Sequence, residues 1–146
     1  MKFFSLFAMG ILAGAMITIQ SVLNSALGKK TGNFGSVLVL TIVSITVLLL
    51  LITLFPNTAD LRHIPGVSEW YLYLGGVLGV VILAAPIFLI PRIGATSTLT
   101  ALVVGQLFLA LIIDQFGFFG FPKIEINLIR TIGLILLVAG AFLIKQ

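Results

Sequence analysis

Residues 86–106 read PIFLIPRIGATSTLTALVVGQ, and the number of times the chain crosses a membrane turns on them. A helix needs about 20 predominantly apolar residues to cross about 30 Å of hydrocarbon. Residues 70–90 and 94–113 each meet that requirement, which leaves PRI at 91–93 as the whole of the link between them. Pro91 is expected to end one arm and Gly94 to open the next, so that the two spans form a tight antiparallel hairpin. Working outward, residues 3–27 and 34–55 supply two spans before the hairpin, and residues 126–144 supply one after it. The other links, GKKTGN, PNTADLRHIPGVSE and DQFGFFGFPKIE, carry the Gly, Pro, Asn or charge that marks an exit from the bilayer. The expected fold is an all-α integral membrane protein, a bundle of five transmembrane helices forming a single domain over residues 1–146.

Composition excludes the soluble alternatives. Of the 146 residues, 60% are hydrophobic and 8% charged, and the mean hydropathy is +1.31. A soluble domain of this size exposes too many side chains to be so apolar. The net charge of +4 comes from eight Lys and Arg scattered at the ends of apolar runs, which suits membrane-boundary anchors and lipid contact rather than a nucleic-acid face. No cysteine is present, so there is no disulfide framework and no thiolate chemistry. The N-terminal segment starts with a base and an apolar run, but its length and the four segments after it argue against a cleaved signal.

Polar groups inside the spans are costly and therefore informative. In span 1, Gln20 and Asn24 lie four apart on one helical face, with Met16 and Ala13 continuing the stripe. In span 4, Gln106 follows Gly105 near the middle of VVGQLFLALIIDQFG, and Asp114 stands where the apolar run stops. The three amides must face protein or water. They read either as interhelical hydrogen-bonding groups or as the lining of a substrate path. An acid at a helix C-terminus is disfavoured by the macrodipole, so Asp114 calls for a cation. Arg130 is the nearest on the same side, and Arg92 of an inverted second copy would reach that side too. A structural ion pair and a protonatable coupling carboxylate are the two roles open to it. Ser21 and Ser25 can bond their own i−4 carbonyls.

Pro86 interrupts span 3, freeing the Ile82 carbonyl, and is the candidate hinge. Gly10 and Gly14 in span 1, and Gly75 and Gly79 in span 3, are candidate sites of close helix packing. Trp70, Tyr71 and Tyr73, with Phe116, Phe118, Phe119 and Phe121, suit the headgroup level. His63 has no second ligand at metal spacing. Nothing resembles a catalytic set, a phosphate loop, a metal centre or a cofactor site, so an enzyme is not expected. Five crossings place Lys2, Arg62, Lys123 and Arg130 on one side and Lys29, Lys30, Arg92 and Lys145 on the other. That four-to-four division gives no preferred orientation by the positive-inside rule.

Taken in order, IQSVLNSALG, WYLYLGGVLGV, PRIGATSTLTALVVGQLFLALIIDQFGFFG and IRTIGLILLVAGAFLI resemble the YdcZ-like family of the drug/metabolite transporter superfamily. The resemblance implies a multi-pass protein of the bacterial inner membrane, a half-transporter that pairs with a second copy or a paralogue, often antiparallel, as ten-span relatives resemble a fused inverted repeat. It implies export or exchange of small metabolites or amphipathic compounds by alternating access. The small multidrug resistance branch carries a glutamate in its first span, and this chain has none there. The alternative from another class is a non-transporting accessory or scaffold subunit of a larger membrane complex.

Overall fold

The computed structural model describes residues 2–118 and 122–144, with side chains from residue 4 onward. The side chain of Lys2 and the residues Phe119, Phe121 and Lys145 lie outside the described residues. All regular structure among the described residues is helical: α1 (Lys2–Thr31), α2 (Asn33–Leu54), α3 (Leu74–Phe116) and α4 (Leu128–Ile144), with short 3-10 turns at Pro56–Thr58, Leu61–His63 and Val67–Tyr73. Three of these stretches are long and apolar enough to cross a membrane, ending at Thr31, Leu54 and Phe116, and α4 is a shorter apolar helix.

The hairpin link at 91–93 is corrected in one respect. Pro91, Arg92 and Ile93 stay helical, and the only departure inside α3 is Gly94, with φ 79° and ψ 163°. Pro91 has a helical φ but no N–H, so this last turn keeps its dihedrals while the Ile87 carbonyl loses its intrahelical donor. Gly94 takes a region of backbone space open essentially to glycine alone. It divides α3 into arms at 74–93 and 95–116, each about 30 Å long at 1.5 Å per residue. Gly32, between α1 and α2, has nearly the same conformation, φ 77° and ψ 160°. Pro86 also keeps helical dihedrals, so the backbone departs from helix eight residues after the expected hinge.

The chain forms two compact units, Met1–Pro91 and Arg92–Gln146. In the first, packing concentrates where α1 turns into α2. Ser36 is fully buried and its hydroxyl donates to the Asn24 carbonyl at 3.0 Å. Val37, Ala84 and Ile87 form the apolar core, flanked by Leu40, Leu83 and Phe88, and Phe34 meets Phe88 edge-on with ring centroids 5.9 Å apart. Gly28 permits this: a Cβ built there would stand 2.5 Å from Ile87 Cγ2. The packing glycines expected from the sequence are elsewhere. A Cβ on Gly10, Gly14, Gly75 or Gly79 would meet nothing within 4 Å. The chain's own helices meet beside the α1–α2 turn, which forces proximity, and leave those four glycines on open faces.

Trp70, Tyr71 and Tyr73 belong to the 3-10 turn ahead of α3 rather than to its first α-helical turns, and the Tyr73 hydroxyl donates to the Pro65 carbonyl. All three rings are exposed.

In the second unit the chain reverses between α3 and α4. Gly117, with φ 63°, caps α3 by donating its N–H to the Ile113 carbonyl at 2.8 Å. The returning segment is stitched to that end, Ile124 donating to the Asp114 carbonyl at 2.8 Å and Ile126 to Gln115 Oε1 at 2.6 Å. Asn127 then caps α4, its side chain accepting from the Arg130 N–H at 2.9 Å.

Candidate functional site

Hydroxyls at membrane depth mostly satisfy themselves. Thr18, Ser21, Thr41, Thr46, Thr98 and Thr100 each donate to the carbonyl four residues earlier. A glutamine or asparagine carries two donors and an acceptor, and needs more than one backbone carbonyl. The amides are therefore the polar groups whose surroundings matter.

In the first unit, Gln20 and Asn24 line one hollow of ≈ 380 Å³ with Met16, Ile19, Leu23 and Leu40. The sequence stripe of Met16, Gln20 and Asn24 is thus one surface. Asn24 is 4% exposed and Gln20 is exposed. Gln106 belongs to the second unit, near the middle of the second arm of α3, and is exposed.

Asp114 has a cation beside it. Arg130 Nη1 donates to Asp114 Oδ2 at 3.1 Å, and the two side chains are 34% and 36% exposed respectively. Two local features place them together: the helix cap at Gly117 turns the chain back, and the Asn127 cap starts α4 just before Arg130. Arg92 lies before the break at Gly94, on the other arm of α3 from Asp114.

Two hollows run between the second arm of α3 and α4, and the sequence reading did not foresee them. The one beside the ion pair measures ≈ 330 Å³ and is lined by Leu107, Ala110, Leu111, Leu134 and Leu137 together with Asp114 and Arg130. The other measures ≈ 540 Å³ and includes Ser97, Thr100, Val104, Val138 and Phe142. On the second arm of α3 the positions 97, 100, 104, 107, 111 and 114 recur at alternating steps of three and four, which is one face of a helix. That spacing is visible in the sequence, but aliphatic residues at it would serve equally against lipid. Gln115 and Asn127 were also missed, although an Asn just before an apolar run is an N-cap signal.

His63 lies in the polar link with Nδ1 2.9 Å from Asp60 Oδ2, both exposed. Among the described residues no cluster of His, Cys, Asp or Glu could hold a metal.

Long apolar helices with charge gathered near their ends and amides within them suit a membrane as solvent. Residues 5–143 match a protein family described as "Putative inner membrane exporter, YdcZ". The chain belongs to the YdcZ family. No curated protein and no solved structure matches it. As a YdcZ member it is a multi-pass protein of the inner membrane, and membership points to a membrane exporter rather than an enzyme.

Proposed function

We propose that the protein exports small metabolites or amphipathic compounds by alternating access, with five crossings per chain and two copies, or a copy and a paralogue, paired in inverted orientation. The observation that carries this is the exposure of Gln20 and Gln106 on a single chain. An amide facing acyl chains has no hydrogen-bonding partner and is costly, so a second copy or a water-filled path has to cover both. The open faces at Gly10, Gly14, Gly75 and Gly79 support pairing, because close helix association in lipid uses small residues. The even division of Lys and Arg supports inversion. In this reading Gln20, Asn24 and Gln106 line the path, Pro86 loosens α3 and the Asp114–Arg130 pair closes one end.

The test is transport by purified protein in liposomes, screened against metabolites and amphipathic compounds. Accumulation or release that depends on the protein and is lost in Gln106→Leu is expected. Liposomes that stay tight to every compound would favour the accessory-subunit reading.

A further inference from the structure

The ion pair does not sit in a closed core. Asp114 and Arg130 share one hydrogen bond of 3.1 Å, each remains about a third exposed, and both border the ≈ 330 Å³ hollow whose other walls are Leu107, Ala110, Leu111, Leu134 and Leu137. An aliphatic hollow with a cation and an anion side by side at its edge has a definite complement. We propose that this hollow binds a small zwitterion of the amino-acid type with an aliphatic body, Arg130 taking its carboxylate and Asp114 its ammonium group. The proposal rests on the exporter reading and names the class of compound carried.

Charge balance selects the zwitterion. A simple anion drawn to Arg130 would also face the Asp114 carboxylate, and a simple cation drawn to Asp114 would face the guanidinium. Either arrangement leaves one charge unmatched. A zwitterion matches both, exchanging one protein–protein contact for two protein–ligand contacts. Arg130 is suited to this, since a guanidinium has five N–H donors in a planar fork and spends one on Asp114 Oδ2. Volume sets the size of the body: ≈ 330 Å³ lies at the small end of ligand sites, which run from about 300 to 1,000 Å³. The larger hollow along the same two helices offers the Ser97 and Thr100 hydroxyls, and among the described residues its lining carries no charged side chain.

The experiment measures binding to the purified full-length protein in detergent, using leucine, leucinamide as its cation-only analogue and 4-methylpentanoate as its anion-only analogue. Leucine is expected to bind at least about tenfold more tightly than either, the value of one charged hydrogen bond. Asp114→Asn should shift preference toward 4-methylpentanoate, and Arg130→Gln toward leucinamide. The double variant Asp114→Asn, Arg130→Gln leaves no charge unpaired, so it should fold and lose leucine binding by at least about tenfold. Equal binding of the three probes, no detectable leucine binding, or full leucine affinity in the double variant would overturn the proposal. So would a zwitterionic phospholipid that co-purifies with the protein, is released by the double variant and blocks leucine, since the hollow would then be a lipid headgroup site. Binding is read without flux. Leucine binding with no transport of any compound defeats the exporter reading, whereas transport of other compounds without leucine binding defeats only this assignment.

Discussion

Asp114 shows how far single residues could be read. An acid in the last turn of an apolar helix conflicts with the helix dipole; that conflict pointed to a cation, and position along the chain to Arg130 or to Arg92 of an inverted copy. Asp114→Asn tests what the pair does. A structural role predicts a loss of about 1–3 kcal/mol, between an exposed pair and a buried one whose partner is left uncompensated, with pH-dependent flux retained. A coupling role predicts an unchanged melting curve and flux that no longer depends on pH. Thermal unfolding and proton-driven flux on one variant separate the two. Gly28 was not legible as a packing residue, because in the sequence it stands beside Lys29 and Lys30 and reads as an exit from the bilayer. Its role depends on Ile87, which arrives from a distant part of the chain and is 1% exposed. Gly28→Ala should therefore destabilise the protein by about 1–3 kcal/mol through overpacking. Gly10→Ala meets nothing of its own chain, so it should spare the fold of a single chain and weaken pairing, read by cross-linking of the solubilised protein.

Helices were the most legible part of the fold. Their apolar runs are long, but the polar links mark their ends only in part: α1 runs on through Lys29 and Lys30 to Thr31, and α3 through Arg92 and Ile93. The break in α3 was legible only in part. Both Pro91 and Gly94 are punctuation, and only the dihedrals show that Gly94 carries the departure while the two prolines remain helical. Gly94→Ala must hold an L side chain at φ 79° and should cost about 1–3 kcal/mol, seen as a lower melting temperature. Pro86→Ala restores an N–H toward the Ile82 carbonyl and keeps the dihedrals the helix already has. It should leave the melting temperature within a few degrees of the parent and slow flux several-fold if α3 bends there. Unaltered flux would remove Pro86 from the mechanism. The hollows between α3 and α4 escaped the sequence because the same aliphatic spacing serves packing, lipid contact and ligand binding alike.

Across the whole molecule, the polar side chains Ser21, Asn24, Ser25, Ser36 and Thr98 are buried, while long aliphatic runs of α1, α2 and α3 are exposed. That reversal suits lipid as solvent, and the exposed amides Gln20 and Gln106 are the exceptions to it. If copies insert both ways, C-terminal reporters active on opposite sides of the membrane should both give signal, and added lysines beside Lys2 should shift their ratio. A single fixed orientation would remove inverted pairing. The central claim, that the membrane-depth amides line a water-filled path, is open to a more direct measurement. The chain has no cysteine, so Gln106→Cys introduces a unique thiol, and a membrane-impermeant maleimide applied to vesicles reports whether water reaches it. The account predicts labelling, suppressed by a transported substrate. Reaction only with a lipid-soluble reagent, unaffected by any substrate, would place residue 106 against acyl chains and contradict it.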